Sequence, residues 1–494
     1  LATDEKYRPR FTPQTGLLAA FIAVAALSSY LSGNFYVSFW GDMERSEGLI
    51  LWLHLFAYFV ILVSAVLSEP AWKNLLRASL AVSLLVALFG VGQGLRLDFL
   101  LATSGTRVDA TFGNPAFLAG YLLFHIAFAL YLFFQTTSKA AKIYYLALPV
   151  LFTWVIFATE TRGAAVGLAA GILLASALLA WSNRQNKRVR NWAVGIIILV
   201  ILAGGALYLG RGSAFVKNSP ILRRLASISL SERTAQTRLA TWRAGWQGWR
   251  EHLVLGVGME NFNIVFNKNF PTIIYEDEGS QVWFDRAHNV IFDRGVTTGA
   301  LGLALYLVFL FYPVWLFFKV YRDDPKKRNG AIIFLALIIA YFIQDLFIFE
   351  TIVTYVLLFF TMAFFAASVL PKDAPAPAPS GKLAYGIIAV IYAVLLGPVL
   401  WTVNILPARA NLTAAAALRI EEKAENFFPI TEQYKKTLEL GTYGKKEYRV
   451  KYIDFVGWQL ANLGTVSEAV KPVVADIDNQ VALQLAEYPY DAKN

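Results

Sequence analysis

Apolar residues in this chain gather in long runs separated by polar stretches. A run of about 20 is the length that crosses a bilayer core of roughly 30 Å as an α-helix. Eleven spans are predicted, near residues 15–34, 48–68, 76–95, 116–134, 142–159, 163–181, 192–209, 289–318, 330–348, 350–369 and 383–403. The 289–318 stretch is long enough to begin as a partly buried loop helix. Two segments break the rhythm. Residues 210–288 are polar and lie between two spans. Beyond residue 404 the chain turns rich in Ala, Glu, Lys and Leu, with apolar positions at helical spacing and no long apolar run. The pattern predicts an all-α polytopic membrane protein of about 11 transmembrane helices, with one large loop and a helical C-terminal tail. Its expected domains are 1–404 and 405–494.

Composition agrees with the membrane class: 57% of residues are hydrophobic and 16% charged, against about a quarter charged in soluble domains. The net charge of +10 does not point to nucleic acid, because of where it falls. Basic residues concentrate in alternate short loops: Lys139 and Lys142; Arg184, Lys187, Arg188 and Arg190; Lys319, Arg322, Lys326, Lys327 and Arg328. The intervening loops are acidic or mixed, such as Asp42, Glu44, Arg45 and Glu47, or the lone Glu350. That alternation is the positive-inside pattern. It puts the N-terminus in the cytoplasm and both the 210–288 loop and the tail outside. The chain has no cysteine, so no disulfide staples the outer regions and no thiolate serves as ligand or nucleophile. The first apolar segment lacks an evident cleavage site and is expected to be a retained span.

A Pro-rich stretch, Pro371 to Pro379, predicts a stiff linker before the last span. In the tail, helices are expected near 408–422, 427–440, 444–463 and 467–487. Helix pairs of this size resemble one or two tetratricopeptide-type units. An amphipathic bundle packed on the membrane face fits the same pattern.

Apart from the tail, only the 210–288 loop has room for chemistry. It is rich in Arg and Trp, as in Thr237-Arg238-Leu-Ala-Thr-Trp242-Arg243, and closes on Arg286-Ala-His288-Asn289. Arg238 and Trp242 share a helix face, which suits either an interfacial helix with Trp at headgroup depth or an Arg reaching for an anionic headgroup. Gly256-Val-Gly258 reads as a tight backbone turn, since no strand precedes it as in a nucleotide site. Arg162, in Thr159-Glu160-Thr161-Arg162-Gly163, falls at the outer edge of the hydrocarbon beside Glu160. A charge at that depth is costly and is usually paired or functional. Asn114-Pro115 is a good helix start, and Asn114 is also placed to hold a sugar or phosphate. His288 stands at the outer boundary of a span. Its ordinary pKa near 6.5 allows it to accept a proton, neighbouring arginines favour its neutral form, and Asp285 is placed to orient it. Asp345 lies within a span and is given no catalytic role. No His or carboxylate set has metal-ligand spacing.

These motifs, in this order, resemble the O-antigen ligase and O-antigen polymerase superfamily of bacterial membrane glycosyltransferases. The likeness runs from about residue 107 to 315. It rests on Arg107 with Asn114-Pro115, Thr161-Arg162-Gly163, Thr237-Arg238-x-x-x-Trp242, Gly256-Val-Gly258-x-x-Asn261-Phe262, and His288-Asn289 before Gly295, Gly299 and Gly302. The resemblance implies a helical bundle of the metal-independent C-type glycosyltransferase kind, located in the bacterial cytoplasmic membrane. It implies Arg162, Arg238 and His288 as the functional core. Arg286, Asn114, Asn289, Trp242, Arg243 and Glu160 are the expected substrate-binding residues.

The implied reaction moves a glycan from a polyprenyl diphosphate, such as undecaprenyl diphosphate, to an acceptor hydroxyl on a lipid, glycan or protein, with inversion and without cofactor. Arginines would hold the diphosphate and His288 would take the acceptor's proton. A polymerase of glycan repeats and a protein O-oligosaccharyltransferase remain open within the same chemistry. A transporter of lipid-linked glycans would show repeated halves and midplane charges, and no clear internal repeat is evident.

Overall fold

The computed structural model describes all residues except 1–8, 43–44, 98–99, 101–103, 106, 228–231, 277–282, 371–381, 421–423, 463–467 and 489–494. The Pro371–Pro379 linker lies outside the described residues. The helices, in chain order, are α1 (Pro13–Leu31), α2 (Phe35–Trp40), α3 (Leu49–Ala65), α4 (Glu69–Gly94), α5 (Pro115–Gln135), α6 (Lys139–Ala158), α7 (Arg162–Ser182), α8 (Lys187–Leu209), α9 (Ala214–Asn218), α10 (Pro220–Ala226), α11 (Arg233–Glu251), α12 (Phe262–Lys268), α13 (Val290–Tyr321), α14 (Pro325–Asp345), α15 (Ile352–Val369), α16 (Lys382–Leu400), α17 (Leu406–Arg419), α18 (Phe427–Glu439), α19 (Lys445–Asn462) and α20 (Lys471–Glu487). No strand occurs among the described residues. Ten helices in them are long and apolar enough to cross a membrane. The fold class is therefore all-α and polytopic.

The second expected span is α3, which at 17 residues is shorter than the others. It packs against α1 and α15. At one end Ser64 accepts a hydrogen bond from the Arg10 backbone N–H at 2.9 Å; just before the other, Glu47 meets Arg286 of the large loop at 2.9 Å. The last expected span and the first tail helix are not separate. They form one continuous apolar helix, Val390–Arg419, carried through a π turn at Trp401–Ile405.

The chain divides into two compact units. One comprises Lys6–Phe39 and Glu47–Pro377, the other Leu1–Glu5, Trp40–Ser46 and Ala378–Asn494. In the latter, α17 to α20 pack as successive neighbours around Phe427, Tyr434, Tyr452 and Phe455, and Trp40 stacks on Tyr443 at 5.2 Å.

In the membrane unit, α7 docks closely on α14. The reason is a small-residue seam, Gly163, Gly167 and Gly171, one residue per turn. A Cβ at Gly167 would lie 2.4 Å from the Ala340 carbonyl oxygen, and one at Gly171 would lie 3.1 Å from that of Ala336. Small residues let helix backbones approach closely in lipid. Helix α13 is broken at Gly299, whose φ is 68°. The freed backbone is satisfied by the Gly-x-Gly segment: Val257 N–H donates to the Val296 carbonyl at 2.9 Å, Gly258 N–H to Thr297 at 3.0 Å, and Ala300 N–H to Leu253 at 2.8 Å. Gly256 and Gly258 take φ of 72° and 91°, as a tight turn demands.

Glu350 lies in the turn between α14 and α15 but is not a solvated charge. It is buried, paired with Arg294 at 2.5 Å, and accepts from the hydroxyls of Tyr306 (2.6 Å) and Tyr341 (3.0 Å). A carboxylate withdrawn from water needs such a set of partners, and sequence spacing alone does not show them.

Candidate active site

The site begins where α6 ends and α7 begins. Thr161 is the N-cap of α7 and Arg162 its first helical residue. The Thr161 side chain does not cap the helix; its hydroxyl accepts from Thr159 Oγ1 at 3.0 Å and from Arg107 Nη2 at 3.3 Å. Arg107 also donates from Nε to the Thr159 carbonyl at 3.0 Å. The strand of chain carrying Arg107 is held by Gln93, whose carboxamide accepts from the Asp109 and Ala110 N–H groups at 3.2 and 2.8 Å and donates to the Asp109 carboxylate at 2.9 Å.

Arg162 does not pair with its neighbour Glu160, as the sequence suggested. Glu160 has a left-handed φ of 52° and faces Arg224 of α10 at 4.0 Å. Arg162 instead forks onto Glu232, with Nη2 2.8 Å from Oε1 and Nη1 in contact with Oε2. Glu232 occupies the N-cap of α11 yet gives that helix no side-chain cap.

Arg238 lies further along α11, half-buried, and has no hydrogen bond or ion pair to any described residue. Burial, then the positive charge of Arg162, lowers its pKa below the ordinary guanidinium value, while Glu232 opposes. Arg107 is lowered too, by burial first and next by Arg224, against Glu160. Burial is the first cause of both shifts and neighbouring positive charge the second. Four guanidinium groups (Arg107, Arg162, Arg224 and Arg238) share two carboxylates, so the cluster is short of negative charge.

His288 sits on the adjoining corner, half-buried and at a left-handed φ of 52°. Its Nδ1 is 3.2 Å from the Arg286 carbonyl oxygen. A carbonyl only accepts, so this contact puts the proton of a neutral ring on Nδ1 and the lone pair on Nε2. Phe349 and Phe284 meet the ring edge-on, with centroids at 5.0 and 5.6 Å. The Asp293 carboxylate accepts from the Ala287 N–H at 2.6 Å, which fixes the backbone just before His288.

A chain of contacts joins the corner to the arginines. Trp242, one turn beyond Arg238, donates from Nε1 to the Ala287 carbonyl at 2.8 Å and stacks on Phe292 at 5.7 Å. Asn289 donates to the Leu346 carbonyl at 3.3 Å. The next residue, Phe347, packs against Gly163, where a Cβ would meet it at 3.1 Å. Phe349 touches both His288 and Phe117, at 5.0 and 6.0 Å. The turn 346–350 thus ties the start of α7, the start of α5 and His288 together, and α11 spans from Glu232 on Arg162 to Trp242 beside Ala287.

Several expected ligands have other work. Arg286 is buried between Glu47 and Glu260. Burial opposes its charge, but the two carboxylates outweigh it and hold its pKa above the ordinary value, so its charge is already matched. Asn114 accepts from the Ala116 N–H at 2.9 Å as the cap of α5. Asn289 caps α13, accepting from Ile291 and Phe292 at 3.0 and 3.4 Å. Arg243 is exposed, five residues and thus about 140° around the helix from Arg238. Trp242 and Trp249 do not lie free at an interface; they belong to a core of the loop with Phe262, Phe266, Phe284 and Val296. Arg224 and Glu232 were not singled out by sequence reasoning, although the Arg223-Arg224 pair and the acidic start of α11 were visible signals. No group of three or more His, Asp or Glu among the described residues is placed to hold a metal ion.

A comparison with protein families adds a likeness. Residues 146–307 match the model of the O-antigen ligase family. That match bears out the resemblance read from the motifs and covers the start of α7, the whole loop and His288. The likeness to the O-antigen ligase family supports a multi-pass membrane enzyme of glycan transfer in general. No curated protein matches the chain.

Proposed function

We propose that this protein is a ligase-type glycosyltransferase that moves a glycan from a polyprenyl diphosphate, such as undecaprenyl diphosphate, to an acceptor hydroxyl at the outer face of the cytoplasmic membrane. One observation carries it: a cluster of guanidinium groups, undercompensated by carboxylates, gathers around the start of α7 and is connected through Trp242 and the turn 346–350 to the corner that holds His288. The charge alternation of the short loops supports a cytoplasmic N-terminus, with the loop and tail outside. The tail is then placed to receive an acceptor.

In the proposed reaction the lipid chain lies in the bilayer and the diphosphate meets Arg162 and Arg238, with Arg107 and Arg224 beside them. Each charge-assisted hydrogen bond contributes about 1.5–3 kcal/mol. The diphosphate gains charge as the bond to the anomeric carbon breaks, so the arginines stabilise the transition state more than the bound donor. His288 Nε2 takes the proton of the acceptor hydroxyl as its oxygen attacks that carbon. One displacement inverts the centre. The proposed transfer uses neither metal nor nucleotide, and it should continue in excess chelator.

The test supplies purified protein with lipid-linked glycan and candidate lipid, glycan and protein acceptors. Transfer that disappears in Arg162→Ala and in His288→Ala, with both variants still folded, supports the proposal. Movement of the intact donor across a vesicle bilayer without any transfer would overturn it.

A further inference from the structure

We propose that Glu232 is a built-in stand-in for the donor's phosphate: it occupies the Arg162 fork in the unliganded protein and leaves it when the diphosphate binds. This rests on the diphosphate reading given above. Three observations carry it. The Arg162–Glu232 contact is bidentate, Nη1 on Oε2 and Nη2 on Oε1, the geometry in which arginine also binds phosphate. Arg162 Nε is buried and has no partner among the described residues, so the guanidinium is not saturated by them. Glu232 stands at the N-cap of α11 without capping it, although a carboxylate there would ordinarily favour the free helix N–H groups. Those N–H groups offer the displaced carboxylate a nearby place to go.

Charge points the same way. With Glu160 and Glu232 in place, four arginines keep two uncompensated positive charges. A departing polyprenyl diphosphate carries close to three negative charges near neutral pH. Swinging Glu232 out of the fork raises the cluster by one, to three, which leaves the bound donor, esterified at both ends and carrying two, in a net positive site and matches the departing group. Glu232 thereby sets a threshold. A ligand with a single weak negative charge does not repay displacing it, whereas a diphosphate does.

The experiment measures binding of undecaprenyl diphosphate to the purified full chain, together with transfer kinetics. Glu232→Gln keeps the shape and removes the charge. It should bind about tenfold tighter, the scale of one charge-assisted hydrogen bond, and lower KM for the donor without raising kcat. Glu232→Asp keeps the charge and should bind within about twofold of the unaltered protein. Equal or weaker binding by Glu232→Gln, or tightening by Glu232→Asp as well, would make the contact a structural clamp and overturn the inference. A different result bears on the underlying proposal. If the unaltered protein binds the diphosphate no better than Arg162→Ala and Arg238→Ala do, the site does not take a diphosphate at all.

Discussion

The seam between α7 and α14 is the most direct way to disturb the site without touching it. In Gly167→Ala the new Cβ would lie 2.4 Å from the Ala340 carbonyl oxygen, 3.3 Å from its carbon and 3.4 Å from the Gln344 nitrogen. A carbon and a carbonyl oxygen rest at about 3.3 Å even in a favourable contact. The helices must therefore part by roughly 0.9 Å. Both near atoms are backbone, so no side-chain rotation relieves the clash. Overpacking of this kind costs about 1–3 kcal/mol. The larger effect should be on catalysis. Arg162 begins α7, while the turn after α14 carries Phe349 against His288, so parting the helices moves the arginine away from the histidine. A displacement of about 1 Å can cost on the order of 100-fold in rate. Gly171→Ala is the graded comparison, with contacts of 3.0 and 3.1 Å, and should cost much less. Gly195→Ala meets nothing within 4 Å and serves as control. The assay is initial-rate glycan transfer alongside thermal unfolding in the same detergent. Gly167→Ala with the rate and stability of Gly195→Ala would refute the reasoning.

Other substitutions probe single groups. His288→Gln keeps a polar side chain but cannot take up a proton; transfer should fall about 10²–10⁴-fold with little change in melting, and a residual rate above a tenth would remove the base assignment. Arg238→Lys keeps charge and loses the planar fork; the donor KM should rise about tenfold, and an unchanged KM would take Arg238 off the donor. Arg286→Gln should destabilise by about 3–5 kcal/mol, because Glu47 and Glu260 are left buried without their cation, and melting within about 1 kcal/mol of the unaltered protein would contradict the pairing.

Much of the architecture was legible in the pattern of apolar runs, because a bilayer imposes one length and one secondary structure on every crossing segment. α3 is the instructive case. Its 17 residues look short for a span, yet its last turn meets Arg10, and Glu47, just before its start, meets Arg286 of the loop. The change of composition after residue 404 does not interrupt the helix that carries the last expected span. Pro is tolerated at the start of a helical segment, and the π turn before it keeps the helix continuous.

The sequence by itself determined the class of the protein, the position of its spans, and the identity of Arg162, Arg238 and His288 as candidate chemistry. The first two follow from residue type and the length of apolar runs, the third from the resemblance of the motifs to a known family. The tertiary structure decided which charges are available. Arg162 meets Glu232, 70 residues away, Arg286 is neutralised by Glu47, 239 residues away, and Arg238 is left without a partner among the described residues. Spacing along a chain measures distance only within one helix or turn, whereas the charge state of a site depends on every carboxylate that folding brings within a few ångströms.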